Sequence, residues 1–573
     1  MAIETFGIDL GTTYSVLTRL DETGTPRVIP NNAEGKDTLA SAVYFPEDGD
    51  PVVGEQAKEF RDTEKDRVIE CAKRYIGREG AEGRKYEIDG KIYDPIDISA
   101  MYLKRIKAYA MEQGYDVNNV VITCPAYFKD PQRAATRQAA EIAGMNVLNI
   151  VNEPTAAALA FCKDEFPENK RIMVYDLGGG TFDVSIIEFT KHQDGTAKVD
   201  VVDSMGNDQL GGQDWDRILG EMIAEQVAEE AGISLEDIEA DLELKAEITS
   251  KCEETKISLT AMPKKTVLVK CNGDKIKVNV TREAFEERTA SKVQETIDFV
   301  TALLAKCNFT PNDIDTVLLV GGSTFMPMIP EAVKKIFPED KVKSYEPNLA
   351  VAKGAVIAAN LKMEEIIREV KEKQQTGEKI NTNVLPVTEE IVEEIRNTDI
   401  PDDILSMPSM VVEEQPLSAS YGVRVLNGDA FEINNLLIKG SEANSTATGE
   451  YATRYDNQPA IVAHVFSNES TDEFIPADID INKNPVDVDP ELKLYHLGQL
   501  ELVLPPNTPA GTPISVTFRH ESAGLQVQAV NQATGEFNEA FINFSSDGVK
   551  SREEVEESKE HMKGVNVKPE LDY

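Results

Sequence analysis

Residues 174–187 read VYDLGGGTFDVSII and predict a strand, a tight turn and a returning strand. An apolar run leads into Asp176, three glycines follow, and a second apolar run continues past Asp183. Because glycine has no Cβ, the backbone N–H groups of this turn can approach an anion closely and donate to it. Carboxylates beside a polyphosphate would repel it unless a divalent cation lay between them. The stretch therefore favours a magnesium nucleotide site; the alternative is a glycine-rich hairpin with exposed acids.

The same pattern occurs near the start of the chain. Residues 6–16 read FGIDLGTTYSV, in which an apolar run again leads into an aspartate, a glycine and two hydroxyl residues. Repetition of one element at a separation of about 170 residues indicates two duplicated lobes, each presenting one hairpin to a shared cleft. Neither stretch is a Walker loop, because no lysine followed by serine or threonine closes the glycine run.

The composition limits the partners of this chain. Its 573 residues are too many for one hydrophobic core, so we expect about two to four domains. The formal net charge of -42 argues against nucleic acid and against a membrane surface as partners, since both are bound through lysine and arginine. Six cysteines without CxxC spacing predict free thiols and a cytoplasmic location. The start of the chain predicts no signal peptide, and the sequence has no apolar run of 18 residues.

Between the hairpin stretches, two charged residues are candidates for the site. Lys73, in CAKRYIGR, is by itself typical of a solvated helix residue. Glu153, in NEPTAAALAF, begins a helix directly after a predicted strand, where it either serves the helix dipole or orients a water molecule. The surrounding periodicity predicts helices at 98–113 and 130–143 and strands at 120–125 and 147–151.

Further glycine-rich turns follow the second hairpin. Residues 206–216 (GNDQLGGQDWD) predict a polar turn before a helix that ends near residue 231. Residues 317–330 (VLLVGGSTFMPMIP) predict a buried strand whose glycines either border a base or ribose or simply form a tight strand–helix connection. Between these turns we expect one helix from 236 to about 259 and a short hairpin over 267–280.

Four motifs, IDLGTTYSV, VNEPTAAALAF, VYDLGGGTFDVSII and VLLVGGST, occur in this order within about the first 360 residues. Their order and spacing resemble those of the seventy-kilodalton heat-shock chaperone family. The resemblance implies an α/β actin-like ATPase domain, with two lobes around a nucleotide cleft, followed by an all-β sandwich. It also implies ATP and ADP as nucleotides, Mg²⁺ as the metal ion, and hydrolysis of ATP to ADP and phosphate.

The resemblance also implies roles for individual residues. Asp9, Asp176 and Asp183 would hold hydrated magnesium. Lys73 would stabilise charge at the γ-phosphate and Glu153 would help to place the attacking water, which suits phosphoryl transfer. The residues expected in catalysis are Lys73, Glu153, Asp176 and Thr181. The residues expected to bind the nucleotide are Gly11, Thr12, Thr13, Tyr14, Gly178, Gly179, Gly180, Thr181, Gly211, Gly212, Glu253, Lys256, Gly321, Gly322, Ser323 and Phe325.

Two of the positions expected near the nucleoside depart from the family pattern. Phe325 replaces the arginine of GGSTRIP, and Ile257 replaces a basic residue after Lys256. Arginine planes usually sandwich the adenine in this family. We therefore expect an aromatic and an aliphatic side chain to take that place here.

The predicted domains are residues 1–362 for the ATPase, 363–414 for an acidic and partly helical linker, 415–548 for the β-sandwich, and 549–573 for a short helical tail. Residues 410–418 (MVVEEQPLS) are the nearest counterpart of the apolar segment that joins the domains in the family. The tail is too short for the family's helical lid, so we expect an open groove and faster exchange of bound peptides.

The sandwich is expected to bind an extended apolar peptide segment through backbone hydrogen bonds and apolar pockets. By position in the family pattern, the groove residues are Val423, Leu426, Tyr451, Ile461 and Ala463. The alternative is that these side chains simply fill the sandwich core.

The sequence thus predicts an ATP-dependent chaperone in which nucleotide controls the affinity for unfolded or extended polypeptides. The resemblance implies a J-domain co-chaperone and a nucleotide-exchange factor as further partners. The alternative is a scaffold that hydrolyses nucleotide weakly and serves one dedicated partner. A small-molecule kinase or a filament former on the same fold would not need the appended sandwich.

Overall fold

The computed structural model describes most of the chain. The described residues are 3–61, 63–78, 83–163, 169–191, 197–376, 387–398, 410–412, 417, 419–428, 430–441, 445–476, 494–521, 524–543 and 548–570. Parts of the predicted linker, at 377–386, 399–409 and 413–414, therefore lie outside the described residues. Within the described ranges, no helix is both long enough and apolar enough to cross a membrane.

Lobe I is built around one mixed β-sheet. Its strands are β1 (Phe6–Asp9), β2 (Tyr14–Leu20), β3 (Pro26–Val28), β4 (Leu39–Ala40), β5 (Ala42–Tyr44), β6 (Val52–Val53), β7 (Val68–Glu70), β8 (Tyr86–Ile88), β9 (Lys91–Tyr93), β10 (Asn119–Cys124) and β11 (Asn146–Asn152). Its helices are α1 (Glu55–Glu59), α2 (Pro95–Glu112), α3 (Asp130–Ile142) and α4 (Glu153–Phe161), with short 3-10 helices at Lys65–Arg67 and Ala72–Tyr75. The main sheet has the order β11-β10-β1-β2-β3, with β4 beside β2.

Lobe II repeats this plan. Its strands are β12 (Lys170–Leu177), β13 (Phe182–Lys191), β14 (Ala197–Asn207), β15 (Lys264–Cys271), β16 (Asp274–Thr281), β17 (Thr316–Val320) and β18 (Val342–Ser344). Its helices are α5 (Gly212–Ala231), α6 (Leu235–Ala240), α7 (Leu242–Ala261), α8 (Arg282–Lys306) and α9 (Met328–Val333), with 3-10 helices at Pro311–Asp313, Gly322–Phe325 and Glu339–Lys341. In both lobes a central strand pairs antiparallel with its hairpin partner and parallel with a later strand: β1 with β2 and β10, and β12 with β13 and β17. The predicted duplication is therefore present in the fold.

The helix predicted from 236 to about 259 is in fact two helices, α6 and α7. Asp241 has an extended backbone conformation between them, and its Oδ1 accepts a hydrogen bond from the N–H of Leu244 at 3.0 Å. An aspartate that caps a new helix competes with continuation of the old one. The apolar periodicity on both sides concealed this break.

Two helices after lobe II pack between the lobes. They are α10 (Ala350–Thr376), which continues across the predicted domain boundary at 362, and α11 (Glu389–Asn397). Met363, Ile366 and Val370 of α10 are buried together with Val392 of α11, in one cluster with residues from both lobes. These charged segments therefore each carry one apolar face that packs on the ATPase lobes, while the domain boundaries stay a prediction.

The sandwich consists of two antiparallel sheets, as predicted. Its strands are β20 (Ser420–Asn427), β21 (Ala430–Leu437), β22 (Thr446–Ala452), β23 (Ala460–Asn468), β24 (Phe474–Pro476), β25 (Tyr495–Val503), β26 (Pro513–Glu521), β27 (Gly524–Asn531) and β28 (Phe537–Asn543), preceded in the chain by β19 (Met410–Val412). One sheet has the order β24-β21-β20-β23-β25 and the other β22-β26-β27-β28. Alternate side chains such as Leu500, Leu502, Val516 and Phe518 are buried between them.

Three connections attach the later segments to the lobes. β19 pairs in parallel with β14 and extends the sheet of lobe II. The hydroxyl of Tyr421 in the sandwich donates to Asp130 Oδ2, at the start of α3, at 2.7 Å. The tail helix α12 (Arg552–Lys563) packs against α3 of lobe I. The sandwich and the tail therefore both contact lobe I.

Candidate nucleotide-binding site

A cavity of about 530 Å³ lies between the two lobes, where the turns of both hairpins meet. Most of the residues predicted from the sequence line it. They are Asp9, Gly11, Thr12, Thr13, Tyr14, Lys73, Glu153, Asp176, Gly178, Gly179, Thr181, Glu253, Lys256, Gly321, Gly322, Ser323 and Phe325. Gly180, Asp183, Gly211 and Gly212 are absent from the lining. The cleft thus brings together motifs that lie more than 300 residues apart in the chain.

The two hairpin turns approach each other closely. A Cβ added at Gly179 would lie 2.2 Å from Oγ1 of Thr13, so a side chain at this point of the second turn would require Thr13 to move. Oγ1 of Thr13 is itself buried and has no hydrogen-bond partner among the residues that the structure describes. A buried hydroxyl without a partner is costly, and a phosphate oxygen in the adjoining cavity would satisfy it. The turns therefore fit a polyphosphate.

Two of the glycines that do not line the cavity support the second turn from behind. A Cβ on Gly211 would lie 2.5 Å from the carbonyl carbon of Gly180. The N–H of Gly212 donates to the carbonyl of Gly178 at 2.9 Å, and Ser323 Oγ donates to the same carbonyl at 2.9 Å. These contacts hold the turn rigidly, which is what a preorganised anion site requires.

Lys73 is buried and forms an ion pair with Glu153. The distance from Lys73 Nζ to Glu153 Oε1 is 2.5 Å, and the lysine side chain is only 5% exposed. Burial opposes the charged ammonium, but the negative charges of Glu153 and Asp9 outweigh it and raise the pKa of Lys73. The solvated-helix interpretation of Lys73 is therefore wrong, and the lysine is a cation at the centre of the cleft.

The aspartates around this pair carry strong mutual repulsion. Burial, and then the charge of Glu153, raise the pKa of Asp9 to about 7, against the opposing effects of Lys73 and a hydrogen bond from Thr123. Burial and the charges of Glu153, Asp183 and Asp9 raise the pKa of Asp176 well above its ordinary value. Burial raises the pKa of Asp183 to about 7. Further positive charge would relieve this repulsion.

A hydrated cation suits these groups better than a directly ligated one. Among the described residues, no three carboxylate, histidine or cysteine side chains converge closely enough to hold a metal ion directly. Magnesium commonly keeps several of its waters and binds through one or two carboxylates and substrate phosphates. Of the three predicted ligands, Asp183 is the one that does not line the cavity, and its carboxylate accepts from the N–H of Ala126 at 2.9 Å and from Ser185 Oγ at 3.2 Å.

The opposite end of the cavity is more apolar. Phe325 and Ile257 both line it and remain 49% and 59% exposed, respectively. Glu253 and Lys256 lie on the same helix as Ile257, and Lys256 Nζ donates to Asp216 Oδ2 at 2.6 Å. This end offers two exposed apolar side chains beside polar groups, which suits a flat base attached to a ribose.

Some lining residues escaped the sequence prediction. They are Lys36, Thr38, Thr260, Met326, Pro347 and Asn348, with Val16, Val320 and Val351. The loop of Pro347 reaches the site because its carbonyl accepts from the N–H of Gly321 at 3.0 Å. Val16, Val320 and Met326 lie within the quoted motifs 6–16 and 317–330, whereas the other positions lie outside them.

The five predicted peptide-groove residues occupy different environments. Val423 and Ala463 are buried in the core between the two sheets. Tyr451 and Ile461 are partly buried against that core, and Leu426 is 36% exposed. Their assignment to a peptide groove stays a prediction.

These features define a class of protein: a two-lobed, actin-like nucleotide-binding ATPase joined to a β-sandwich. A family model described as Hsp70 protein matches residues 5–431. The chain belongs to the Hsp70 family. It is accordingly an ATPase and an ATP-dependent chaperone for unfolded polypeptides.

Named relatives extend this match beyond the lobes. The chaperone protein DnaK of Thermosipho melanesiensis is 34% identical over 591 aligned positions, which cover 99% of this chain and 87% of the relative. The DnaK of Thermosipho africanus is also 34% identical, over 99% of this chain and 86% of its own length. The DnaK of Thermotoga maritima is 40% identical over 361 positions, or 62% of this chain and 58% of the relative.

Proposed function

We propose that this chaperone binds ATP with hydrated magnesium in the cleft, and that hydrolysis there changes the affinity of the sandwich for extended polypeptide segments. One observation carries the proposal. The turns of the duplicated hairpins meet at Thr13 and Gly179, where a Cβ on the glycine would collide with the threonine and the threonine hydroxyl lacks a partner among the described residues. A triphosphate is the ligand that such paired turns fit best.

The residues then divide the reaction between them. Asp9, Asp176 and Asp183 would hold the hydrated ion, which neutralises phosphate charge when bound. Lys73 places its ammonium at the γ-phosphate, where negative charge must be stabilised. Glu153 accepts a hydrogen bond from Lys73 and has further acceptor capacity to orient an attacking water.

The apolar side chains that line the cavity are assigned to the nucleoside. Phe325 and Ile257 flank the base, and Glu253 bonds the ribose. Neither flanking side chain is charged, so the affinity for the base arises from stacking and burial rather than from cation–π attraction.

Control of peptide affinity by nucleotide requires a physical connection between the domains. The Tyr421–Asp130 hydrogen bond and the β14–β19 pairing supply two such connections. Thermodynamic linkage is reciprocal: if bound nucleotide changes the affinity for peptide, then bound peptide must change the affinity for nucleotide by the same factor. We also propose that the protein acts on unfolded polypeptide clients in the cytoplasm. A J-domain co-chaperone and a nucleotide-exchange factor would be its further partners.

Calorimetric titration and turnover measurements test it. Purified full-length protein is titrated with ATP in the presence and absence of magnesium, and ATP turnover is then measured with and without an unfolded peptide. We expect magnesium-dependent binding and a turnover rate that changes with peptide. Absence of ATP binding would refute the site, whereas equal turnover and equal nucleotide affinity with and without peptide would refute only the coupling.

A further inference from the structure

The sandwich sheet that contains β20, β23 and β25 carries three basic side chains on its outer face. Val423 of β20 pairs with Val465 of β23, and both side chains are buried in the core between the sheets. Because side chains alternate along a strand, the neighbouring Arg424 and His464 lie on the opposite face. His496 of β25 lies there as well, since its ring centroid is 5.5 Å from that of His464.

The two histidines are in direct contact and are held neutral. His464 Nδ1 lies 3.4 Å from His496 Nε2, and the His496 ring packs edge-on against Phe466 with the centroids 5.0 Å apart. Burial, then the charge of Arg424 and then that of His496 lower the pKa of His464 to about 4. Burial and the charge of Arg424 also lower the pKa of His496, against a hydrogen bond with the backbone of Gly498.

Arg424 has no carboxylate partner among the residues that the structure describes. Its guanidinium carbon lies 4.8 Å from the centroid of the Phe431 ring, and burial alone lowers its pKa. Glu501 lies on the same face, opposite Val462, but is not among the charges that act on the histidines. The chain has 101 acidic and 59 basic residues, yet this arginine faces two imidazoles. A carboxylate from outside would satisfy it.

A metal ion fits this group poorly. Neighbouring imidazoles are common metal ligands, but the guanidinium of Arg424 would repel a cation placed between them. Within the described part of the chain, no three histidine, cysteine or carboxylate side chains converge on a metal position. An anion suits all three groups, because guanidinium binds it directly and its charge favours protonated imidazole.

Exposed apolar side chains adjoin the basic group. Leu426 lies two residues after Arg424 and is 36% exposed, and Val462 lies two residues before His464 and is 41% exposed. Residues two apart on a strand share a face and are separated by about 7 Å. The surface thus offers an anion site next to an apolar site, which suits a polypeptide with an acidic and an apolar side chain better than a free anion.

We propose that the outer face of this sheet binds acidic polypeptide segments. A carboxylate of the segment pairs with Arg424 and accepts a hydrogen bond from the histidine pair. A neighbouring apolar side chain packs on Leu426 and Val462. Leu426 is the one predicted groove residue of this sheet that lies on the outer face, since Val423 and Ala463 face the core. The surface is therefore a second polypeptide site, and it does not depend on the nucleotide cleft.

The contact with the histidines makes binding sensitive to pH. A bound carboxylate favours the charged imidazoles, so the complex takes up protons and the affinity rises as the pH falls from about 7.5 to about 6. The free sandwich sets the lower limit of this range. Because the folded-state pKa of His464 is depressed from 6.5 to about 4, its contribution to stability is present above 6.5 and is lost as the pH falls towards 4.

Fluorescence anisotropy of labelled peptides with the full-length protein, without nucleotide, tests the surface. The probes are two octapeptides, one alternating glutamate with leucine and one alternating lysine with leucine. We expect wild-type protein to bind the acidic peptide at least about tenfold more tightly than the basic one. We expect Arg424→Gln to lose about tenfold in affinity for the acidic peptide. Arg519→Gln makes the same charge change in the other sheet, on β26, and should stay within about twofold of wild type.

Calorimetry in two buffers of different ionisation enthalpy measures the proton uptake. In the double variant His464→Asn, His496→Gln we expect the uptake and the rise in affinity at about pH 6 to disappear, while His561→Gln, on the exposed surface of α12, keeps both. This comparison decides the question if Arg424→Gln fails to fold.

Three results would overturn the proposal. The first is wild-type protein that binds the acidic peptide no more tightly than the basic one. The second is an equal loss in Arg424→Gln and Arg519→Gln, which would indicate an effect of overall charge. The third is an unchanged pH dependence in the double histidine variant. None of these outcomes bears on ATP binding in the cleft.

Discussion

The two hairpins have the same strand pairing but different surroundings. The first turn carries one glycine and two threonines, and its Asp9 accepts from the hydroxyl of Thr123 at 3.1 Å. The second turn carries three glycines and is packed against Gly211, Ser323 and Arg74. Duplication therefore preserved the backbone while the two copies specialised. The first copy contributes hydroxyl groups to the cavity, and the second contributes space.

The charges at the two hairpins are also unequal, and this gives the largest expected effect. Asp176 is repelled by three other acids and only Lys73 offsets this, whereas Asp9 is repelled by Glu153 and has both Lys73 and a hydrogen bond from Thr123 to offset it. We expect Asp176→Asn to reduce magnesium-dependent phosphate release at least about hundredfold, and Asp9→Asn to reduce it less. Steady-state assays across a magnesium series measure both. Equal losses would show that the two hairpins share the metal equally, and surviving activity in Asp176→Asn would remove the assigned metal site.

Glycine-to-alanine substitutions at the second turn test how much of its space the ligand needs. A Cβ at Gly179 collides with Thr13 Oγ1 at 2.2 Å, whereas a Cβ at Gly178 meets nothing nearer than 3.6 Å. We expect Gly179→Ala to weaken ATP binding by more than about tenfold and Gly178→Ala by less than about threefold. Titration calorimetry measures both constants. If Gly178→Ala weakens ATP binding more than Gly179→Ala does, the second turn does not contribute space for the ligand as described.

The hydroxyl groups of the first hairpin can be separated into a binding and a structural role. Thr13 Oγ1 has no hydrogen-bond partner within the described part of the chain, whereas Thr18 Oγ1 donates to the carbonyls of Ala352 at 2.6 Å and Gly7 at 3.1 Å. We expect Thr13→Val to lose about tenfold in ATP affinity without lowering Tm, because it deletes only an unsatisfied group of the free protein. Thr18→Val should lower Tm and keep the affinity. Thermal melts and titrations of both variants make the comparison, which collapses if Thr13→Val melts early and binds normally.

The smallest effect is expected away from both hairpins, at the base. Phe325→Ala and Ile257→Ala each remove one exposed apolar face, so we expect losses of about threefold to fivefold in ADP affinity. Binding of inorganic triphosphate should be unaffected in both variants, since it contacts only the turns. A loss larger than that of Gly179→Ala would move the main source of affinity from the hairpins to the base.

Local patterns were sufficient to predict the hairpins. The alternation of apolar residues into Asp9 and Asp176 gave the strands, and the glycines gave the turns. Spacing alone does not report which groups lie behind a turn, so the sequence did not reveal that Gly211 and Gly212 support the turn rather than line the cavity. Lys73 also looked solvated because a lysine has the same local pattern whether its partner is water or a distant carboxylate such as Glu153.

Packing between segments distant in the chain was harder to predict from the sequence. The segment from Met363 to Lys373 is rich in charge and predicted an acidic, partly helical linker, whereas its Ile366 and Val370 are buried on the helix in the structure. The docking of α12 on lobe I was likewise hidden, since the partner of Lys550 lies about 450 residues earlier in the chain. Such contacts depend on the finished fold and leave little trace in either segment alone.

The strand Met410–Val412 joins lobe II through pairing with Ala197–Val199. Attachment by main-chain amides and carbonyls makes few demands on the side chains that alternate above and below the sheet. The side chains of this strand can therefore change during evolution, including to acidic residues like those around it, while its pairing with the sheet is kept. Only a residue that removes an amide hydrogen, such as proline, would detach it outright.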